Sequence, residues 1–220
     1  MTNTLASPQL AAVLDRLFAA SAAQEADEMP APPPGRASWD EASAAERADA
    51  LQDAYIPISA EAGKLLYALI RASRPETVVE FGTSFGISTI YLAAAVTDNG
   101  TGHVVTTELS SKKVETAGSN LREAGVEAAV TILAGDALQT LGDVQGPVGL
   151  VLLDGWKYLC LPVLRLLEPK LAPGALVAAD DITNAGMADY LDFIRNPANG
   201  YVTVAFPVED GMEISCWTGR

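Results

Sequence analysis

The sequence predicts an α/β fold, in which N-terminal helices precede a doubly wound, seven-stranded sheet that is mostly parallel and ends in an antiparallel hairpin. Three observations predict this fold. After Pro75, apolar segments of strand length alternate with amphipathic segments of helix length, a pattern typical of a parallel sheet with helices on both faces. Near the end of the chain, two strand-like segments flank Asp210-Gly211, a hairpin signal. Before Pro75, the spacing of the apolar residues is helical.

The chain begins with a predicted amphipathic helix over residues 6–24. Asp15 and Arg16 interrupt its apolar face, which argues against a signal peptide, because a signal peptide has an uncharged apolar centre. The prolines from Pro30 to Pro34 end this helix and predict an extended linker. This part of the chain is expected either to contact a second copy in a homodimer or to form a lid, and both alternatives stay open.

Two more helices are predicted before the sheet. Ser38 and Glu41 have the spacing of a capping box, which predicts a helix that begins there and ends near Tyr55. After Ser59, apolar residues again recur at helical spacing and predict a third helix.

The rest of the chain supplies the sheet and its covering helices, in a Rossmann-like arrangement. One domain is expected over residues 1–220, with an N-terminal helical extension at 1–55 and a core at 56–220. The predicted strands are 78–81, 104–107, 130–133, 148–153, 176–179, 201–206 and 212–217. The predicted helices of the core lie near 87–97, 111–124, 157–170 and 185–195.

Composition excludes several classes of protein. Hydrophobic residues make up 49% of the chain and charged residues 19%, as expected of a globular domain. The net charge of −14 argues against nucleic-acid binding, which needs clustered lysine and arginine. No apolar stretch approaches the length of a membrane span, so we expect a cytoplasmic protein. Cys160 and Cys216 lie in apolar segments and are expected to be buried free thiols.

Acidic residues follow two of the predicted parallel strands. Asp154 ends one apolar segment, and Asp180-Asp181 ends the next. The carboxyl ends of such strands face one crevice, so these carboxylates are expected to lie together and to hold a hard cation. Lys157 would supply a proton acceptor beside them. The alternatives are that the acids cap helices and that Lys157 is only an ion-pair partner of Asp154.

The ends of the first three strands favour a nucleotide. Gly82 and Gly86 follow strand one, where the backbone can approach a ligand, although a plain tight turn is an alternative. Glu108 ends strand two and can accept hydrogen bonds from ribose hydroxyls. Asp136 ends strand three and can accept from an adenine amine or, alternatively, cap a short helix. The glycine spacing lacks the pyrophosphate glycine of dinucleotide-binding folds.

Two groups of motifs resemble a known family. Glu80-Phe81-Gly82 with Gly86, Glu108 and Gly135-Asp136-Ala137 resembles the class I S-adenosylmethionine-dependent methyltransferases. Asp154-Gly155-Trp156-Lys157 with Asp180-Asp181 is similar to the divalent-cation-dependent O-methyltransferases, among them the catechol and caffeoyl-CoA types. The resemblance covers residues 56–217.

The resemblance implies methyl transfer from S-adenosylmethionine to a hydroxyl of a small dihydroxy-aromatic acceptor that is catechol-like, hydroxycinnamate-like or flavonoid-like. Lys157 would be the base, with Asp154 as its catalytic partner. Mg²⁺, or Mn²⁺ or Ca²⁺ in its place, would be held by Asp154, Asp180 and Asp181. The cofactor-binding residues would be Ile58, Ser59, Glu80, Gly82, Ser84, Ser88, Glu108, Leu109, Gly135, Asp136, Ala137, Asp154 and Trp156.

Three positions depart from the family pattern. Gly155 stands at the position where the catechol O-methyltransferases that this chain resembles have a histidine, so a side-chain contact beside the adenine is expected to be lost. Val204 stands where that family has a glutamate for the second hydroxyl of the acceptor. Asp181 stands where asparagine is usual and adds negative charge to the metal site.

Two other functions were weighed against methyl transfer. A dinucleotide oxidoreductase is disfavoured by the glycine spacing and by the lack of a Tyr-x-x-x-Lys pair. A non-catalytic binding module is disfavoured because Lys157 and all three acids are present. A histidine base is excluded, since the one histidine, His103, starts the second strand and lies far from its carboxyl end.

Overall fold

Seven strands form one sheet in the computed structural model, which describes residues 3–24 and 31–219. The strands are β1 (Thr77–Phe81), β2 (His103–Glu108), β3 (Val130–Ala134), β4 (Val148–Leu153), β5 (Leu171–Ala179), β6 (Tyr201–Phe206) and β7 (Met212–Trp217). Their order across the sheet is β3-β2-β1-β4-β5-β7-β6. The first five strands are parallel, whereas β7 runs antiparallel to both neighbours. The predicted fold class is therefore confirmed.

Helices cover both faces of the sheet. Val78 of β1 packs in one apolar cluster with the inner sides of α1, α3, α4 and α5, and the next residue, Val79, packs in a second cluster with α7 and α8. This alternation follows from the two-residue repeat of a strand. Over the described residues, no helix is long and apolar enough to cross a membrane. The α-helices are α1 (Pro8–Gln24), α2 (Ala44–Ala50), α3 (Ala60–Ser73), α4 (Ile87–Asn99), α5 (Ser111–Ala124), α6 (Ala137–Thr140), α7 (Cys160–Leu167) and α8 (Ala188–Ile194).

The second N-terminal helix differs from its prediction. The predicted capping box at Ser38 makes no capping hydrogen bond and opens only a 3-10 turn that ends at Glu41. The real box lies five residues later, where the Ser43 hydroxyl accepts from the Glu46 amide and the Glu46 carboxylate accepts from the Ser43 amide. Helix α2 then ends at Ala50, so the prediction of a helix reaching Tyr55 is wrong. Two serine–glutamate pairs with the same spacing competed here, and the later one caps.

Two smaller predictions are also settled. Both cysteines are free thiols, but only Cys160 is buried, whereas Cys216 is partly exposed because β7 lies near the edge of the sheet. Of the predicted extended linker, Pro30 lies outside the described residues, and residues 31–34 are not helical.

The pairing of β1, β4 and β5 brings the predicted acids together. Phe81 lies beside Leu153, and Leu153 lies beside Ala179 in the sheet register. The amide of Asp154 donates to the carbonyl of Phe81, and the amide of Asp180 donates to that of Leu153. Strands β2 and β3 lie on one side of β1, whereas β4 and β5 lie on the other, so the strand order reverses between β1 and β4. Ligands bind outside the carboxyl ends of the strands at such a switch point.

Candidate active site

A cavity of about 490 Å³ lies at the carboxyl ends of β1 to β5 and is covered by the segment that contains α2. It is therefore large enough for a nucleoside and a small second ligand. Most of the residues predicted from the sequence line it: Ile58, Gly82, Ser84, Ser88, Glu108, Leu109, Gly135, Asp136, Ala137, Asp154, Trp156, Lys157 and Asp181.

Three carboxylates meet at one end of this cavity. Oxygen atoms of Asp154, Asp180 and Asp181 all lie within 4.8 Å of one another. A hard cation that takes oxygen ligands at roughly 2.0–2.6 Å spans ligand pairs up to about 5 Å apart, so one such ion fits this spacing. Asp181 has a φ of 55°, in the left-handed region that aspartate and asparagine tolerate.

The carboxylates hold more negative charge than the described residues balance. Burial raises the pKa of Asp180 to about 8, and the charge of Asp154 adds to this effect. Burial also raises the pKa of Asp154, against the opposing effect of Lys157. A divalent cation would favour the ionised form of all three acids, so the donor set and its charge fit such an ion.

Lys157 bridges two of the carboxylates. Its Nζ lies 3.0 Å from Oδ1 of Asp154 and 2.9 Å from Oδ2 of Asp181. Burial by itself lowers the pKa of Lys157, but the charges of the two carboxylates outweigh burial and hold the pKa above its ordinary value. In the chain alone the lysine is thus an ammonium, and the ion pair weighed as an alternative role exists in the structure.

Glu108 is held in place for a ligand with two hydroxyl groups. Its Oε2 accepts from the amide of Ser84, and its Oε1 accepts from the amide of Ser110, each at 2.8 Å. Each carboxylate oxygen can accept a further hydrogen bond. The carboxylate is therefore oriented by the backbone with capacity left toward the cavity.

Glycine is required where the turn after β1 meets the end of β4. Gly82 has a φ of 104°, and a Cβ there would lie 2.7 Å from the carbonyl oxygen of Asp154. Gly86 has a φ of 86° and precedes α4. Gly82 therefore lets the turn after β1 pack closely against the end of β4, and the approach of this backbone to a ligand stays a prediction.

Asp136 has the capping role that was weighed as an alternative. Its Oδ1 accepts from the amide of Leu138 at the start of α6. The residue also lines the cavity, so capping fixes the orientation of a carboxylate that faces the ligand space.

Three predicted residues lie behind the cavity wall. Ser59 caps α3, and its amide donates to the carboxylate of Glu209. Glu80 is fully buried below the glycine turn, and Asp180 is 5% exposed beneath the other two acids. These three residues therefore support the wall, with Asp180 also a member of the carboxylate cluster.

Glu80 carries a pH-sensitive contribution to stability. Burial raises its pKa to about 7, against hydrogen bonds from Ser88, Thr106 and Thr89. Among the described residues its Oε1 has no hydrogen-bond partner. Because the folded chain binds this proton more tightly than the unfolded chain, the contribution is full at low pH and is lost as the pH rises through about 7.

Replacement of Glu80 by glutamine should flatten this pH dependence. As the pH rises from about 5 to about 8, the free energy of unfolding should decrease in the wild type. The decrease in Glu80→Gln should be smaller by on the order of 1–3 kcal/mol. Denaturant unfolding of both proteins at the two pH values measures the difference. Equal losses would show that the protonation of Glu80 in the folded chain differs little from that in the unfolded chain over this range, contrary to the raised pKa.

The missing side chain at Gly155 is explained by Phe81. A Cβ on Gly155 would lie 2.3 Å from the Phe81 ring, so the ring occupies the space that a larger residue would need. The ring also lines the cavity. Beside Gly155 the cavity therefore has an aromatic wall from β1, and the loss of a contact with the adenine stays a prediction. Val204 is 59% exposed on the edge strand β6 and does not line the cavity.

The sequence favours segment 6–55 and the loop near 184–189 as walls of the acceptor pocket, and residues of both line the cavity, but the contacts that its roof makes were not predicted. Residues between α2 and α3 cover the opening, and the Arg47 guanidinium lies 5.7 Å from the ring centroid of Trp156 and 4.9 Å from that of Tyr158. Tyr55 stacks on Phe85 of the glycine turn with 4.2 Å between centroids. Nothing in the spacing of these residues signals a site, because their contacts are made between distant parts of the chain.

The chain is similar to known methyltransferases. A family described as a methyltransferase domain matches residues 79–182. The catechol O-methyltransferase of Mycobacterium tuberculosis (strain ATCC 25618 / H37Rv) is 35% identical over 146 residues, which make up 66% of this chain and 66% of that protein. The chain thus spans just under two thirds of the length of this curated relative.

Solved structures show the same fold. Cofactor-bound Rv0187 from MTB superposes with a TM-score of 0.70 at 28% identity, covering 88% of this chain and 100% of that chain. The O-methyltransferase TomG from Streptomyces achromogenes, in complex with SAM, gives a TM-score of 0.69 at 26% identity, covering 81% of this chain and 91% of that chain.

Proposed function

We propose that this chain, which matches a methyltransferase domain over residues 79–182, transfers a methyl group from S-adenosylmethionine to a hydroxyl of a small dihydroxy-aromatic acceptor. The observation that carries the proposal is that one cavity joins two sites: Glu108 and the glycine turn at one end, and three carboxylates with Lys157 at the other. Transfer of a group between two bound ligands requires that their sites lie side by side, and here the proposed cofactor site adjoins the proposed site of the metal and the base.

The proposed cofactor site is a set of strand ends. Glu108 would accept hydrogen bonds from the ribose hydroxyls, and Gly135, Asp136 and Ala137 would frame the adenine. Gly82 lets the backbone reach the methionine end. When bound, S-adenosylmethionine supplies the methyl group on a sulfonium, and a divalent cation supplies Lewis acidity that favours ionised phenolic oxygens.

The residues of the chain would then position and deprotonate the acceptor. Asp154, Asp180 and Asp181 would hold Mg²⁺, or Mn²⁺ or Ca²⁺ in its place. Without a cation, the carboxylates of Asp154 and Asp181 stabilise the ammonium of Lys157. A bound cation would neutralise their charge, and the burial of Lys157 would then favour the neutral amine. A neutral Lys157 would accept the proton of the reacting hydroxyl.

The acceptor would carry two adjacent oxygens, since three carboxylates on one cation leave positions that a chelating ligand fills. Trp156 and Tyr158 supply an aromatic wall beside Lys157. We expect an uncharged or weakly charged ring. A homodimer contact, a lid role for the N-terminal part and a cytoplasmic location stay predictions.

Transfer of a labelled methyl group from S-adenosylmethionine tests this function directly. Catechols, hydroxycinnamates with adjacent hydroxyls and flavonoids should be methylated, and matched monophenols should react far more slowly, because they cannot chelate. Equal rates for catechols and monophenols would contradict the proposed role of the cation, and absence of transfer to every phenol would contradict the activity.

Removal of the Glu108 carboxylate should weaken cofactor binding. Glu108→Ala deletes charge-assisted hydrogen bonds, so the binding free energy of S-adenosylhomocysteine should fall by on the order of 1.5–3 kcal/mol in calorimetry. Glu115→Ala is the matched control, because Glu115 is exposed on α5. An unchanged affinity in Glu108→Ala would refute the ribose assignment.

A further inference from the structure

Lys113 is a buried lysine that the proposed chemistry does not use. It lies in the first turn of α5, is 7% exposed and lines the same cavity as Glu108. Its Nζ lies 5.2 Å from the ring centroid of Phe85. Within residues 3–24 and 31–219, this Nζ makes no hydrogen bond and no ion pair.

The stability of the folded chain does not explain this lysine. A buried ammonium loses its hydration and is normally compensated by hydrogen bonds. A positive charge in the first turn of a helix also opposes the helix dipole. Lys113 is therefore better explained by a polar group that enters the cavity.

The neighbouring carboxylate of Glu108 indicates which kind of polar ligand group would lie beside Lys113. The negative charge of Glu108 favours the charged form of Lys113, against the effect of burial. Among the described residues, however, the two side chains form no direct ion pair. Both side chains line the cavity, and both oxygens of Glu108 can accept one more hydrogen bond. A hydroxyl placed between them would donate its proton to the carboxylate and accept from the ammonium, satisfying both groups.

We propose that Lys113 is a cofactor-binding residue that holds the ribose of S-adenosylmethionine together with Glu108. Its ammonium donates to the oxygen of a ribose hydroxyl whose proton is donated to the Glu108 carboxylate. This inference rests on the proposed function, since it takes the cofactor of that function as its ligand.

Calorimetry with S-adenosylhomocysteine and S-adenosylmethionine tests the proposal. Lys113→Met keeps the apolar stem against Phe85 and removes the donor, so both ligands should bind on the order of tenfold to hundredfold more weakly. The control is Lys112→Met, which removes the same charge at the next position. Lys112 is exposed and paired with Asp53, so affinity there should change by no more than about twofold.

Two further measurements separate binding from structural support. The melting temperature of the ligand-free Lys113→Met protein should equal or exceed that of the wild type, because the removed charge is desolvated more than the charges of Glu108 and Asp53 offset. A lysine that only supported the fold would give a lower melting temperature. With an analogue of S-adenosylhomocysteine that lacks both ribose hydroxyls, the wild type and Lys113→Met should bind equally.

Several outcomes would overturn the proposal. Unchanged S-adenosylhomocysteine affinity in Lys113→Met would show that the lysine makes no contact with the ribose. Tighter S-adenosylmethionine binding with unchanged S-adenosylhomocysteine binding would show that it only repels the cationic cofactor. If the wild type binds neither ligand, the proposed function fails instead, whatever the variant does.

Discussion

Exhaustive chelation of divalent cations should abolish methyl transfer to a catechol, lowering the rate by about 10²-fold or more, and Mg²⁺ should restore it. Lewis acidity contributes several kcal/mol to such reactions. When all three are ionised, Asp154, Asp180 and Asp181 carry more negative charge than the ammonium of Lys157 offsets, so a divalent cation would favour their ionised form. Initial rates with and without EDTA, followed by readdition of Mg²⁺ or Mn²⁺, measure the effect.

Binding measurements provide the controls for this result. S-Adenosylhomocysteine should still bind in EDTA, because Glu108 and the glycine turn do not depend on the cation. Asp181→Asn keeps the size of the side chain and tolerates the left-handed backbone, but removes one charge. Its affinity for Mg²⁺ should fall below that of the wild type. Full activity in the presence of EDTA would rule out the proposed metal site.

Replacement of Lys157 by alanine should lower kcat by roughly 10²–10⁴-fold, the usual range for a positioned acid–base group. The physical reason is that its Nζ, 3.0 Å from Oδ1 of Asp154, lies beside the proposed chelation site and could accept the proton of the reacting hydroxyl once a cation neutralises the carboxylates that now hold the lysine charged. Steady-state kinetics with an ordinary catechol at neutral pH gives the comparison. Cofactor affinity should persist, which separates loss of the base from loss of the fold.

Two further comparisons identify the lost function as proton transfer. Lys157→Arg should stay inactive, because a guanidinium remains protonated. Acidic nitrocatechols arrive already ionised, so the deficit of Lys157→Ala should shrink with them. Near-normal kcat for Lys157→Ala with ordinary catechol would leave Lys157 only its observed structural role, the ion pair with Asp154 and Asp181.

The sequence alone was sufficient to predict the order of elements and the position of the acids. Asp154 and Asp180 each follow an apolar segment of strand length. The two acids are therefore predicted to lie together, because parallel strands bring their carboxyl ends to one edge of the sheet. The same argument located Glu108 and Gly82. These predictions depend only on direction along the chain, which the sequence contains.

The sequence did not decide which of two possible capping boxes begins the second N-terminal helix. Ser38 with Glu41 and Ser43 with Glu46 have the same spacing, and only the second pair forms the capping box. The choice is made by the packing of the chain that follows, which places Ala48 in the core and Tyr55 on Phe85.

Contacts between distant segments were decided only by the tertiary structure. The Phe81 ring fills the space beside Gly155, although Phe81 ends β1 and Gly155 lies in the loop after β4, and neither residue type signals the other. Lys112 and Lys113 are adjacent in the same predicted helix, and only the fold buries Lys113 while it leaves Lys112 exposed. The sequence therefore determined which groups end the strands, whereas the fold decided which side chains close the space around them, because spacing along the chain carries no record of volume or of desolvation.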